Sequence, residues 1–507
     1  MTRDTKYLIF LTLLYFVVSF VGILHHELWL DESHHWLMAR DSHSISELIK
    51  TTRPDGHPVL WSIMLFIITL FTNNVFWMQL LHIIVATATV FIFLRKSPFP
   101  WVFKTIFIFG YFMIFEYDLI SRNYILGIFF LFLTCSIFKD RKHKFILLCI
   151  YLALAANVHL MFSTIAFALL LTLMYENYLQ KRFFERQYVI GYLMFGIGAT
   201  LLWVQMASTD SAWFFEMLGD IPLKERISKG LIALLKGLIA IPDFRTLHFW
   251  NSNLIVNWNK PMAGVLGLML YAVPLLLFFK NKKTLFFVYT ALIGSQIFFF
   301  ITQRAATRFY GMTYIIVIIA LWLEYYYATE DSKLKGFLNQ LNLTLFRKPI
   351  IYGILIIHLC SGIMAYATDY AYPFMSGKAA VEFLKSKNLQ DVPVISLTCD
   401  GTCLSPYLEK KVWFLCDGSY QSYCHWNFLC AVNIQRDEVT RLVSDYMLTH
   451  NHAIYVSYFP LVNNPKRDTW ININTNVKVR FLKYIGHDCS IVKDNYFIYE
   501  VKHLNDK

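Results

Sequence analysis

The 507-residue chain is 57% hydrophobic, 17% aromatic and only 16% charged, which excludes an ordinary soluble globular protein and points to a multi-span membrane protein. Its 46 Lys and Arg against 34 Asp and Glu give a formal charge of +12, but the basic residues fall in short clusters between apolar runs, the pattern of the positive-inside bias. A lipid bilayer is therefore the expected partner, and nucleic acid is not.

The first apolar run, Tyr7 to Leu24, follows Arg3 and Lys6 and lacks a small-residue cleavage site, so it reads as a retained span. Further runs near spanning length extend over Val75 to Leu94, Trp101 to Phe115, Asn123 to Phe138, Phe145 to Ala156, Leu160 to Tyr178 and Tyr188 to Met206. Met262 to Phe279, Leu285 to Thr302, Phe309 to Tyr327 and Ile350 to Thr368 follow, making about eleven spans. One more run, Pro58 to Phe71, is short, opens with Pro and ends at Asn73-Asn74. Counting it as a span would invert everything after it. Kept in the interface, it leaves Arg95-Lys96, Lys139 to Lys144, Lys181-Arg182, Lys280 to Lys283 and Lys333 to Lys348 on one side with Arg3 and Lys6.

Pro58 to Phe71 is accordingly expected as a juxtamembrane helix. The opposite, external face then receives Leu28 to Asn74, Glu116 to Arg122, the turn Asn157 to His159, Ala207 to Lys260, Gln303 to Arg308 and the C-terminal tail. Within Ala207 to Lys260, the apolar stretch Gly230 to Ile241 is too short to cross and predicts a re-entrant or interfacial helix.

From about Asp369 the composition turns soluble. Ser376 to Ser386 predicts an amphipathic helix, and Val392 to Leu397 and His452 to Phe459 predict strands. The fold class is thus an all-α polytopic membrane domain over residues 1–368 with a C-terminal external α/β or α+β domain over 369–507. Cys399, Cys403, Cys416, Cys424, Cys430 and Cys489 crowd the tail, and an even number in an external domain predicts disulfides. A zinc site on Cys399, Cys403, Cys416, Cys424 and His425 is the weaker reading.

The polar residues that interrupt this pattern are few and ordered. Asp31-Glu32 stands just beyond the first span in LWLDESHHWLMARD, and adjacent carboxylates at a membrane edge meet water, a cation or a substrate because hydrocarbon excludes them. After His34, His35 and Trp36 comes RPDGHPVLW, Arg53 to Trp61, with His57 before the interfacial run. FEYDLISRNYILG, Phe115 to Gly127, carries Glu116, Asp118, Arg122 and Tyr124. Asn157 and His159 form a short turn, and QRAATRFYG, Gln303 to Gly311, supplies Arg304 and Arg308. The bland alternatives are that the acids cap a helix or sit in water, that the histidines pack, and that Arg122 and Arg308 snorkel to headgroups.

In this order the motifs resemble the GT-C glycosyltransferases. The branch in question holds protein O-mannosyltransferases, the aminoarabinose transferase of lipid A and bacterial enzymes dependent on polyprenyl-phosphate sugars. There an Asp-Glu pair follows the first span, a GHPPLYY-like stretch enters the next membrane-associated helix, and an acid precedes Arg-x-Tyr. A "TH" turn and a late Arg-aromatic motif complete the set, and YPFMSGKAAVEFLKSKNL is similar to the linker into the external domain of bacterial members. This chain departs from the pattern at position 120, an Ile, which leaves Glu116 and Asp118 as rivals for the second acid.

The resemblance implies a GT-C-type membrane domain in the plasma or inner membrane and an inverting transfer of a monosaccharide, in the manner of a mannosyltransferase, from a polyprenyl-phosphate carrier at the external face. The acceptor would be a glycan, lipid or protein of the envelope. Asp31 would be the general base and Glu32 its neighbour, positioning it or a substrate hydroxyl. Glu116 or Asp118 would hold the acceptor or the base, and Arg308 with Arg304 or Arg122 would bind the lipid phosphate. His57, Tyr124 and His159 would contact substrate. The carboxylates and histidines could also hold a divalent cation, although the branch resembled generally works without one, and none is assigned. The competing readings are a ligase or polymerase using a lipid-linked oligosaccharide, and a lipid or sugar transporter. A transporter predicts mid-span charges and a symmetric repeat; the sequence shows few of the former and none of the latter.

Overall fold

The computed structural model describes residues 2–207, 222–302, 306–327, 344–425, 434–463, 465–486 and 490–504. Arg304, Cys430 and Cys489 lie outside the described residues, as does Lys333 to Asn342 of the last basic cluster. The chain forms two compact units, one of Met1–Leu24, Ile49–Trp61 and Gln79–Ala367, the other of His25–Leu48, Ser62–Met78 and Thr368–Lys507.

Among the described residues eight helices are long and apolar enough to cross a membrane: Arg3–His25, Phe76–Lys96, Leu160–Leu179, Arg186–Met206, Lys260–Phe278, Lys282–Thr302, Thr307–Glu324 and Leu345–Ala371. They coincide with eight of the expected runs. The other three expected spans are shorter helices, Trp101–Ile108, Tyr124–Ile137 and Phe145–Ala156, because about 20 residues are needed at 1.5 Å per residue. The run from Trp101 fails for a local reason. Its helix ends at Ile108, turns at Phe109-Gly110 and resumes only as a π-turn over Phe112–Glu116. The run from Pro58 forms a helix of 10 residues, Leu60–Thr69, too short to span.

The apolar stretch expected from Gly230 to Ile241 is the second half of a longer amphipathic helix, Leu223–Leu238. Its first turns are polar, which hid its start, and its buried side packs on Thr307–Glu324 and Lys260–Leu270. The crossing depends on Gly237, where a Cβ would stand 2.0 Å from the Thr313 hydroxyl oxygen and 2.3 Å from the Tyr310 carbonyl oxygen. Thr307–Glu324 is itself 89% buried, the central helix of this unit.

The second unit is built on a seven-stranded sheet: β1 (Val394–Ser396), β2 (Val412–Phe414), β3 (Ser419–Gln421), β4 (His452–Ser457), β5 (Trp470–Asn472), β6 (Val477–Ile485) and β7 (Tyr496–His503). The spatial order is β3-β2-β1-β4-β7-β6-β5. β1 runs parallel to β2 and β4, and the remaining pairs are antiparallel. Alternation of side chains sends successive residues to opposite faces. Val394, Ile454 and Val456 pack with Ala380, Val381 and Leu384 of the Gly377–Ser386 helix. Ile395, Ala453 and Tyr455 pack with Val439, Val443 and Tyr446 of the Arg436–Met447 helix.

Cysteine pairing differs from the expectation that all six tail cysteines are oxidised. Cys399 is bonded to Cys424 and Cys416 is also in a disulfide, but Cys403 is a buried free thiol beside the Met375 sulfur. The zinc reading fails with it, since disulfide sulfurs are not thiolate ligands.

Two outcomes follow from this packing. Gly237→Leu should destabilise the membrane unit by about 1–3 kcal/mol through overpacking, whereas Gly353→Ala, where a Cβ meets nothing within 4 Å, should be neutral; thermal unfolding in detergent separates them, and equal midpoints would refute the crossing. Alkylation followed by peptide mass spectrometry should tag Cys403 only after unfolding, and Cys399 and Cys424 only after reduction.

Candidate active site

The loop between Ile108 and Tyr124 lies within a helical unit, so its freed backbone groups need partners in the protein. Side chains from distant elements supply several, and side chains of the loop itself reach carbonyls elsewhere. The Tyr15 hydroxyl of the first span donates to the Met113 carbonyl, and the Tyr117 hydroxyl donates to the Arg308 carbonyl at 2.7 Å. The His82 ring nitrogens stand 2.8 and 2.9 Å from the carbonyl oxygens of Asp118 and Arg122. The Asn123 amide donates to the Val158 carbonyl at 2.8 Å, which ties this loop to the Asn157–His159 turn. Gly311, last residue of the Arg-aromatic motif, lets Tyr117 through: a Cβ there would meet its hydroxyl oxygen at 2.3 Å.

These ties bring four of the sequence motifs together. The Arg122 guanidinium, 2% exposed, reaches within 3.4 Å of His57 Nε2. The His57 ring lies 5.1 Å from the His159 ring, which in turn lies 5.3 Å from Tyr124 and stacks on Phe309 at 5.5 Å. His159 also caps the helix that follows it, its Nδ1 accepting from the Met161 N–H. Residues 57, 122, 124, 159 and 309 thus form one aromatic and basic cluster.

Glu116 and Asp118, rivals in the sequence, have different surroundings. The Glu116 carboxylate is buried and accepts from Trp250 Nε1 at 3.1 Å and from the Tyr111 hydroxyl at 3.2 Å. Burial pushes its pKa up to about 7 while the Arg308 guanidinium opposes the rise. Arg308 lies over the Phe309 ring at 4.9 Å, so the acid shares the cluster's cation. Asp118 is fully buried and neither carboxylate oxygen has a hydrogen bond; the hydroxyls nearest to it are those of Ser19 and Tyr15 on the first span. Burial raises it to about 8, so at neutral pH it is mostly a neutral acid.

In the second unit, Asp31 and Glu32 open the helix Leu30–Asp41. Glu32 is wholly buried. It accepts from the Trp29 N–H at 2.8 Å, the reach-back half of a capping box, and from His26 Nε2 at 3.2 Å. His26 Nδ1 donates at 2.8 Å to Asp369, in the last turn of the Thr344–Ala371 helix. Burial alone would lower the His26 pKa, but the Asp369 and Glu32 carboxylates outweigh it and hold it up at about 10. Asp31, one residue earlier on the helix, is half-buried. Among the described residues no group of three or more His, Cys, Asp or Glu side chains is arranged to hold a metal ion.

Sequence reasoning missed His26, His82, Trp250 and Asp369. Asp369 and His26 stand at span ends where polar residues are ordinary, and Trp250 is one of 13 tryptophans. Only His82, a histidine inside an apolar run, was a signal that could have been read.

No protein-family model matches the chain, and no curated protein matches it in sequence. Solved structures similar to it include ArnT from Cupriavidus metallidurans bound to undecaprenyl phosphate (10% identity, TM-score 0.49) and the same protein in the apo state (12% identity, TM-score 0.46). Each alignment covers 98% of this chain and 98% of the other.

The His26 contacts make a prediction about pH. Because the folded pKa is raised above the ordinary 6.5, the stabilisation is complete below that value and disappears as pH rises through about 10. His26→Ala leaves two buried carboxylates without their cation and should cost about 3–5 kcal/mol at neutral pH. Thermal unfolding of wild type and variant should converge toward alkaline pH; parallel curves would sink the assignment.

Proposed function

We propose that this protein is an integral membrane glycosyltransferase of GT-C type. It moves a monosaccharide with inversion from a polyprenyl-phosphate carrier to an envelope glycan, lipid or protein at the external face of the plasma or inner membrane. The observation that carries the reading is the cluster of His57, Arg122, Tyr124, His159, Phe309 and Arg308 with Glu116. Residues from positions 57 to 309 meet there, and snorkelling arginines would have no reason to sit beside buried histidines. A lipid-linked phosphate lies at headgroup depth, where a cationic and aromatic cluster suits an anion that carries a sugar.

In this reading Asp31 accepts the proton of the acceptor hydroxyl as its oxygen attacks C1 of the sugar. The bond from C1 to the phosphate oxygen breaks, and the lipid phosphate leaves with one more negative charge than it had as a diester. Arg308 and Arg122 stabilise that charge, so no proton need be delivered to the leaving group. Glu32, committed to His26 and the Trp29 N–H, is a positioning residue that fixes the helix carrying Asp31. Glu116, not Asp118, is the second acid, because it alone of the two faces Arg308. The aromatic rings of Tyr124 and Phe309 offer a face to the sugar. External placement of these residues is supported by the basic clusters, which the charge rule assigns to the cytoplasmic side.

Asp31→Asn should lower turnover by about 10²–10⁴-fold, the contribution of a general base, while leaving binding of the donor lipid intact. Arg308→Gln should instead weaken donor binding. Mass spectrometry of envelope glycans and lipid-linked sugars with and without the gene should find an accumulated donor and an acceptor short of one sugar; unchanged pools in both fractions would overturn the reading, and near-normal turnover in Asp31→Asn would remove Asp31 as the base.

A further inference from the structure

The amphipathic helix Leu223–Leu238 carries three lysines, at positions 224, 229 and 236. Lys224 is exposed, and Lys229 pairs with Glu225 at 3.4 Å, as surface lysines on a helix do. Lys236 differs. Its ammonium lies over the Tyr310 ring, 5.6 Å from the centroid, and donates to the Asn251 carbonyl at 2.9 Å. No carboxylate stands within ion-pair distance of it among the described residues, and burial pulls its pKa down to about 8. The side chain is half-buried; a partly desolvated cation without an anion is costly, and such a group marks a place where a ligand supplies the missing charge.

Its surroundings are those of the candidate site. Asn251, held at φ 61°, accepts the Thr307 N–H on its side-chain oxygen at 2.9 Å, directly before Arg308. Trp250, the preceding residue, is the donor to Glu116. One turn of chain thus joins Lys236 to the acid and to the start of the helix that bears Arg308 and Tyr310. A clamp on the Asn251 carbonyl would explain the hydrogen bond but not the charge, since a glutamine amide donates equally well without burying a cation.

We propose that Lys236 is a second cation for the phosphate of the lipid-linked donor, acting with Arg308. The assignment rests on the glycosyltransferase reading above and extends it to a residue no motif in the sequence marked. The ligand chemistry is a phosphate ester carried on an isoprenoid chain. Two cations suit a phosphate whose charge increases as the sugar departs.

The test uses full-length protein in nanodiscs, with polyprenyl phosphate, the uncharged polyprenol of equal length and inorganic phosphate as probes, and affinities read by native mass spectrometry. Lys236→Gln, which keeps an N–H donor for Asn251, should lose about tenfold or more in affinity for polyprenyl phosphate and none for the polyprenol. Lys236→Arg should restore most of the loss. In wild type, polyprenyl phosphate should slow reductive methylation of Lys236 and the polyprenol should not, a readout that needs no variant to fold. Equal binding of polyprenyl phosphate by wild type and Lys236→Gln, equal losses for both lipids, or no protection from methylation would each overturn the role of Lys236. Protection by inorganic phosphate as strong as that by the lipid would overturn the assignment to a lipid-borne phosphate. Wild-type protein that prefers neither lipid would overturn the donor reading itself, a result distinct from a defect confined to the variant.

Discussion

Between Ile108 and Tyr124 the chain leaves the α-helix inside a helical membrane unit, and the carbonyl groups released there must be satisfied by protein. Tyr15 and His82 face three of the stretch's own carbonyls, those of Met113, Asp118 and Arg122, and Tyr117 reaches out of it to the Arg308 carbonyl. The same contacts decide where Glu116, Arg122 and Tyr124 point. A regular helix over this stretch would have placed these side chains about its circumference at 100° intervals. The irregular backbone lets an acid, an arginine and a tyrosine meet residues from three other parts of the chain. Local structure, packing and candidate chemistry therefore rest on one set of hydrogen bonds.

Burial then divides the work among the acids. Glu116 has two hydrogen-bond donors and a guanidinium nearby, and its pKa is held near 7. Asp118 has no guanidinium, only the Ser19 and Tyr15 hydroxyls of the first span near it, and burial raises it to about 8. The two residues are adjacent but for one position, yet only one is coupled to the cluster's charge. Solvation explains the difference: a carboxylate removed from water ionises readily only where a cation or donors replace the water. Glu32 has other company, accepting from His26 and from the Trp29 N–H.

The lipid phosphate demanded by the proposed reaction places a third condition on this site. An anion that gains charge during reaction needs cations beside it. Arg308 is shared with Glu116, a carboxyl only partly ionised at neutral pH, and Lys236 has a ring and a carbonyl for company but no carboxylate among the described residues. The raised acid and the lowered lysine are thus two consequences of the same low-dielectric setting, which disfavours the charged form of each until a partner of opposite charge arrives.

The sequence by itself determined the class of molecule and the sites worth watching. Apolar runs and basic clusters are additive, local signals, so eight spans, the short Leu60–Thr69 helix and the strands at Val394 and His452 were legible from composition and period alone. Motif order likewise flagged His57, Arg122, Tyr124, His159 and Arg308. What only the tertiary structure decided was company. Helix length in the Trp101 run hinged on a break at Phe109-Gly110, and the start of the Leu223–Leu238 helix was masked by its polar first turns. The different surroundings of Glu116 and Asp118, the hold of His26 and Asp369 on Glu32, the free Cys403 thiol and the placement of Lys236 each depend on a partner many residues away. Sequence periodicity reports which side chains avoid water; it carries no record of which donor, cation or carbonyl meets them once they have done so.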